Sequence, residues 1–310
     1  MAERQFDPGR VGVLLGGESS EREISMKSGQ AVLTALASLG VEAVPIGLGG
    51  DIAAELTRER LDCAFIALHG RFGEDGGVQS LLEERGIPYT GSGVEASRLA
   101  MDKLRSRETF RRVGLAVPET LVVKTPQEIP GIPFSFPVVV KPSREGSSIG
   151  LSLAADPGDL PEAVETALAF DDTVLIEPFL KGIEITAGVL DNRALPLVEI
   201  MPTRDYFDFE AKYTKGVTEF VVPARLEPGL AARAQAAGLS AHRALGCRAY
   251  SRTDMIVSPS GQVYVLEVNT IPGLTATSLF PMACAAEGID FPGLCLELLR
   301  LAHASYEGKR

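Results

Sequence analysis

A hairpin signal near the C-terminal end constrains this chain more than any other stretch. Met255-Ile256-Val257 and Val263-Tyr264-Val265-Leu266 flank Ser258-Pro259-Ser260-Gly261-Gln262, and apolar runs around a glycine turn read as paired antiparallel strands. With the turn centred between Ser260 and Gly261, Asp254 falls opposite Glu267 and Arg252 opposite Asn269. Side-chain alternation then sends all four to one face. Directly opposed carboxylates repel each other, by roughly 4 kcal/mol at about 4 Å and an effective dielectric near 20. A cation between them reverses the sign. Two carboxylates and an amide oxygen suit a hard ion such as Mg²⁺, which keeps waters and takes phosphate oxygens as its other ligands. The alternative is a solvated sheet face with splayed carboxylates, and a one-residue slip of register removes the site.

The 310 residues suit two domains, or three small ones, and 45% hydrophobic residues supply ample core. A net charge of -11 argues against a nucleic-acid partner or an anionic membrane surface. No apolar run approaches a membrane span, and MAERQFDPGR lacks the apolar core of a signal peptide. Cys63, Cys247, Cys284 and Cys295 are widely spaced among apolar neighbours, as expected of reduced core thiols in a cytoplasmic protein. His69, His242 and His303 are too scattered for a zinc site.

Strands are expected at 11–15, 41–46, 62–68 and 87–90, with helices at about 20–39 and 52–60, an alternation that implies a parallel sheet. Ser20 and Glu23 fit a capping box at the first helix, where Glu21 suits the helix dipole or the ammonium group of a ligand. Gly16-Gly17 before that helix permits close backbone approach but is not a full dinucleotide fingerprint. The loop His69–Gly77 leaves the carboxyl end of a strand, the edge where open α/β sheets bind ligands. One helix is expected over about 94–113, carrying Lys103.

Beyond Pro118 the pattern changes. The strand Val138–Lys141 ends on a lysine that is costly to bury without an anion or water. The loop Ser143–Gly150, with Ser147 and Ser148, offers hydroxyls and backbone N–H groups suited to phosphate oxygens, without the GK[ST] of a Walker loop. Glu177 and Glu184 bracket a short linker between strands that could present backbone groups to a purine and an acid to ribose hydroxyls. Residues 204–217, with Lys212 and Tyr213, read as a loop of lid length. Gly273 leaves its N–H open to close approach, Ser278 precedes Leu279, and helices are expected near 228–245, 282–287 and 291–303.

LLGGESSEREIS, ALHGRFGEDG, YTGSG, MDKLRSR, VVVKPSREGSSIG, EAKY, RTDMIV and LEVNTIPGLTATSL together resemble the D-alanine–D-alanine ligase family of ATP-grasp enzymes, in order from Val11 to about Leu301. The resemblance implies an α/β chain (α+β overall) with the ATP-grasp fold in three domains: an N-terminal parallel-sheet domain, 1–100, then domains 101–184 and 185–310 that sandwich ATP, with 204–217 as lid. It implies that Lys103, Lys141, Ser147 and Ser148 hold phosphates and that Lys212 reaches the γ-phosphate. Glu177 and Leu180 would face the adenine, largely through backbone groups, and Glu184 the ribose. Asp254, Glu267 and Asn269 would hold two Mg²⁺ or Mn²⁺ ions. The first D-alanine would meet Glu21 and His69, and the second Ser278 and the Leu279 N–H, with Arg252 and the Gly273 N–H on the oxyanion. Tyr213, hydrogen-bonded to Glu21 and Ser147, favours a dipeptide product over D-alanyl-D-lactate, the product of related ligases. Another ATP-grasp carboxylate–amine ligase and a non-catalytic ATP-binding regulator are the remaining alternatives. A homodimer and a role in peptidoglycan precursor synthesis are also expected from the family. Thr253, where an aliphatic residue is usual, should face away from the metal ligands.

Overall fold

The structure, a computed structural model, describes residues 6–48, 52–129, 131–202 and 218–307. Residues 204–217, and with them Lys212 and Tyr213, lie outside the described residues.

The first third is a three-stranded parallel sheet. β1 (Val11–Gly16) lies between β2 (Ala43–Leu48) and β3 (Cys63–Ile66). α1 (Arg22–Ser38) and α2 (Ile52–Glu59) connect them. Val11, Val13 and Leu15 face one core and Leu14 the other, so the central strand is buried on both sides. α1 begins on Glu21 with no side-chain cap bond, so the expected Ser20–Glu23 capping box does not form. Ser19 takes that place instead: its hydroxyl donates to the His69 carbonyl and accepts from the Glu21 N–H. α3 (Gly77–Glu84) follows the His69–Gly77 loop, and the expected strand at 87–90 is reduced to a single bridge between Ala64 and Tyr89.

The expected single helix over 94–113 is two. α4 (Val94–Met101) stops at Asp102, whose extended backbone breaks the helical path and whose carboxylate accepts the Arg105 N–H to cap α5 (Lys103–Arg112). A four-stranded antiparallel sheet follows, in the order β4 (Leu121–Val123), β7 (Val174–Pro178), β5 (Val138–Pro142), β6 (Ser152–Ala154). α6 (Leu160–Leu168) covers it.

The last sheet is also antiparallel, ordered β11 (Thr218–Val221), β10 (Val198–Pro202), β8 (Ile183–Leu190), β12 (Tyr250–Val257), β13 (Val263–Asn269), with β9 (Arg193–Ala194) beside β8. α7 (Pro228–Ala244) fills one face, and Ala96, Ala100 and Phe110 from α4 and α5 join the same core. α8 (Leu279–Ala285) and α9 (Phe291–Glu307) return to the first sheet, where Leu294, Leu298 and Leu301 pack with α1. All four cysteines are free and buried. No helix among the described residues is long and apolar enough to cross a membrane.

Candidate active site

The β12–β13 hairpin pairs Arg252 with Asn269 and Asp254 with Glu267, as expected, but by a different route. Gly261, at φ +80, closes the turn by donating its N–H to the Ser258 carbonyl at 2.8 Å. The strands leave that turn one residue out of the expected register, with Val257 opposite Val263 and Met255 opposite Val265. A β-bulge then restores it, because Leu266 has no partner on β12. The bulge sets two consecutive side chains, Leu266 and Glu267, along one cleft, while Val265 and Val268 stay in the core. Thr253 is buried towards α7, with its hydroxyl on the Gly238 carbonyl at 3.4 Å, away from the carboxylates as expected.

Each carboxylate carries a cation. Arg252 bonds Asp254 through Nε at 2.7 Å and Nη2 at 2.8 Å, and Lys103 Nζ lies 3.1 Å from Glu267 Oε2. The Asn269 amide donates to Asp254 Oδ2 at 3.1 Å, which leaves its carbonyl oxygen as the atom able to ligate. No group of three His, Cys, Asp or Glu side chains among the described residues is arranged to hold a metal ion by itself. Two partly buried carboxylates and an amide oxygen, all hard donors, fit a divalent cation such as Mg²⁺.

The cleft beside the hairpin has a volume of about 780 Å³ and opens between the last two sheets, with Lys141, Ser148, Leu180 and Glu184 along its wall. Lys141 Nζ lies 3.0 Å from Glu177 Oε2. Burial pulls the lysine down to about 8, with Glu177 opposing it. Burial pushes the Glu177 carboxyl up, but Arg107 and Lys141 outweigh it and hold it below the usual carboxylate range. Ser147 and Ser148 sit at φ +50 and +59, a conformation non-glycine residues hold only under constraint. The constraint at Ser147 is its hydroxyl, which donates to Glu21 Oε1.

Glu21 is enclosed by backbone. A Cβ on Gly70 would come within 2.9 Å of its Oε2, and one on Gly146 within 3.1 Å. Beside it, the His69 ring meets the Ser28 hydroxyl through Nε2 at 3.1 Å. Burial and the Arg252 charge lower His69 to about 4, so the ring is neutral near pH 7. Ser28 also accepts the Leu274 N–H at 3.4 Å, tying α1 to the loop of Gly273. Ser278 stands at the N-terminal boundary of α8 just ahead of Leu279, without a side-chain cap bond, and its hydroxyl bonds Thr275 Oγ1 at 2.8 Å. A Cβ on Gly273 would stand 3.1 Å from that hydroxyl.

Three neighbours were not singled out from the sequence. Glu74 accepts the Gly70 N–H at 2.8 Å and is pushed up to about 8 by burial and by Glu21. Glu145 pairs with Arg71 at 3.3 Å. Arg107 is wholly buried against Glu177. Glu74 and Arg71 were visible as charges in a glycine-rich loop, and Arg107 stands one helical turn after Lys103.

A family model described as "D-ala D-ala ligase C-terminus" matches residues 112–300, and its N-terminal counterpart matches residues 49–92. The chain is 50% identical over 303 residues to a D-alanine–D-alanine ligase of Geobacter sulfurreducens, covering 97% of this chain and 96% of the relative. It is 48% identical over 285 residues to one of Pelobacter propionicus, covering 91% and 92%. Among solved structures, a Bacillus anthracis D-alanine–D-alanine ligase complexed with ATP superposes with a TM-score of 0.86 at 33% identity, over 97% of this chain and 100% of that one. The VanG D-Ala:D-Ser ligase of Enterococcus faecalis gives 0.81 at 29% identity, over 96% and 100%.

Proposed function

The chain belongs to the D-alanine–D-alanine ligase family and is an ATP-dependent ligase that joins two D-alanines for peptidoglycan precursors, and from that premise we propose which of its residues do what. ATP occupies the 780 Å³ cleft, with Lys103, Lys141 and the Ser147–Ser148 loop on its phosphates, Glu184 on the ribose, and Glu177 and Leu180 at the adenine. Lys212 reaches the γ-phosphate. Asp254, Glu267 and Asn269 hold two Mg²⁺ or Mn²⁺ ions. When bound, such ions offset charge on the transferring phosphoryl group.

A carboxylate is a poor electrophile, so phosphorylation of the first D-alanine gives an acyl phosphate that an amine can attack. Glu21 holds its ammonium group beside neutral His69. Ser278 and the Leu279 N–H take the carboxylate of the second D-alanine, whose neutral amine forms the new C–N bond. Arg252 and the Gly273 N–H face the oxyanion that develops at the acyl carbon. Phosphate then departs with the C–O electron pair, leaving D-alanyl-D-alanine, ADP and phosphate. Tyr213 and residues 204–217, outside the described residues, would act with Glu21 and Ser147 to keep water from the acyl phosphate. The same reading places the chain in the cytoplasm as a homodimer, divided at 1–100, 101–184 and 185–310; the three sheets support three parts, while these two boundaries fall inside α4 and β8.

The observation that carries this reading is the opposed Asp254–Glu267 pair, balanced by Arg252 and Lys103 and lining the nucleotide-sized cleft. The test is phosphate release from Mg-ATP with D-alanine, L-alanine, or D-alanine plus D-lactate or D-serine, with product masses determined. A D-alanine-dependent release with the mass of D-alanyl-D-alanine is expected. Preferential formation of a D-lactate or D-serine product in the mixtures would reassign the second site.

A further inference from the structure

Arg107 is 0% exposed, and a buried guanidinium is costly unless every donor is answered. Here all five N–H groups are spent. Nη1 donates to Glu177 Oε1 and to Thr120 Oγ1 at 3.1 Å. Nη2 donates to Glu177 Oε2 at 3.2 Å and to the Leu266 carbonyl at 3.3 Å, and Nε reaches the same carbonyl at 3.3 Å. Both main partners line the nucleotide cleft from opposite sheets, Glu177 on β7 and Leu266 on β13. Leu266 is the unpaired residue of the bulge that returns Glu267 to its place opposite Asp254. One turn earlier on α5, Lys103 pairs with Glu267 itself. Thus α5 lays two cations, four residues apart, on consecutive residues of the bulge.

Resting on the reading that ATP takes this cleft, we infer that Arg107 is a positioning residue for the nucleotide, fixing the Glu177 carboxylate at the adenine end and the bulged strand at the metal end in one rigid fork. The Glu177 carboxylate has about four lone-pair sites. Arg107 takes two and Lys141 one, so a single acceptor site remains on Oε1. An acceptor held there suits the exocyclic amino group of adenine and rejects the carbonyl of hypoxanthine. A lysine at 107 keeps the charge, but its three donors radiate from a point and cannot span Glu177, Thr120 and Leu266 together.

The test uses the full chain with Arg107→Lys, Arg107→Gln and Thr120→Val, reading the Kd of ATP and of inosine triphosphate by calorimetry, KM for ATP and D-alanine, Mg²⁺ dependence and Tm. In Arg107→Lys the Kd and KM for ATP should rise about tenfold, the size expected for a lost charge-assisted hydrogen bond. The preference for ATP over inosine triphosphate should narrow, the Mg²⁺ requirement should rise, and KM for D-alanine should stay within about twofold. Thr120→Val, which leaves every charge in place, should move the same quantities in the same direction, and carries the test where the Arg107 variants do not fold. A lowered Tm with ATP affinity and base preference unchanged would make Arg107 a core staple and overturn the inference. Failure of the wild type to turn over D-alanine would instead count against the ligase reading, with the two triphosphate affinities still reporting on Arg107.

Discussion

His242 lies in the last turn of α7, where the helix dipole favours a cation by about 0.3–1 kcal/mol. Burial opposes it and wins: the ring is lowered to about 4, with the neighbouring Arg243 charge adding to the effect. Nδ1 bonds the Ser251 hydroxyl at 2.7 Å, and Nε2 is buried without a partner. The unfolded chain, with histidine near 6.5, binds the extra proton first as pH falls, so folded stability drops from about pH 6.5 to 4 and levels below that, by about 3 kcal/mol. His69 loses stability in the same window. His242→Gln should flatten the acid limb of urea midpoints measured from pH 7 to 4; a limb of unchanged slope would show that the ring does not charge on unfolding. Glu267→Gln tests the other kind of residue. It keeps size and leaves Lys103 an amide oxygen to bond, so the fold should hold while turnover falls about 100-fold and recovers in part with raised Mg²⁺. Normal rates at limiting Mg²⁺ would remove Glu267 from the metal site. Glu267 could be read from the sequence because a carboxylate opposite a carboxylate demands a cation. Arg107 could not, because an arginine on a polar helix reads as solvated until a strand from 159 residues away covers it.

Among the elements, the hairpin was legible and its bulge was not. Turn residues mark a reversal, but an extra residue in one strand leaves no compositional trace, and Leu266 fits an apolar run as well as a bulge. The Asp254–Glu267 and Arg252–Asn269 pairings fall as expected because two one-residue departures, at the turn and at the bulge, compensate. The break between α4 and α5 was missed for a related reason: with no glycine or proline near Asp102, the helical pattern reads straight through. That break sets Lys103 at the first turn of α5, where its Nζ meets Glu267 and the Glu145 carbonyl. Asp102→Ala should cost about 1 kcal/mol through the lost cap and raise KM for ATP by misdirecting Lys103. Asp102→Asn, which still accepts the Arg105 N–H, should restore both, as read from thermal melts and initial rates. An alanine variant with full stability and unchanged KM would mean that the turn is held by its tertiary contacts alone.

Across the whole molecule, the first and last sheets share an apolar core, whereas the middle sheet's loops meet the first third through a few polar bridges at the site. The Ser147 hydroxyl reaches Glu21, and Arg71, from the loop after β3, donates to the Phe170 carbonyl at 2.8 Å and pairs with Glu145. Burial pushes the Glu145 carboxyl up even though Arg71 opposes it, so this contact brings a costly charge into the closed arrangement. Arg71 is itself 66% exposed, and a pair with one solvated partner contributes little to folding, about 0–1 kcal/mol. Its consequence belongs to closure. The bridge holds the Ser143–Gly150 loop beside Glu21, the residue assigned to the first D-alanine. Arg71→Ala should therefore leave Tm within about a degree while raising the phosphate released per dipeptide above one, because loosened closure lets water compete with the amine. Glu145→Gln, which keeps a hydrogen bond to Arg71 without the buried charge, should keep the ratio near one. Both ratios come from paired assays of phosphate and dipeptide at saturating D-alanine. If Arg71→Ala turned over with strict one-to-one coupling, the water barrier would rest on the Ser147–Glu21 bond and the 204–217 segment, and the same assay on Ser147→Ala would then show the leak.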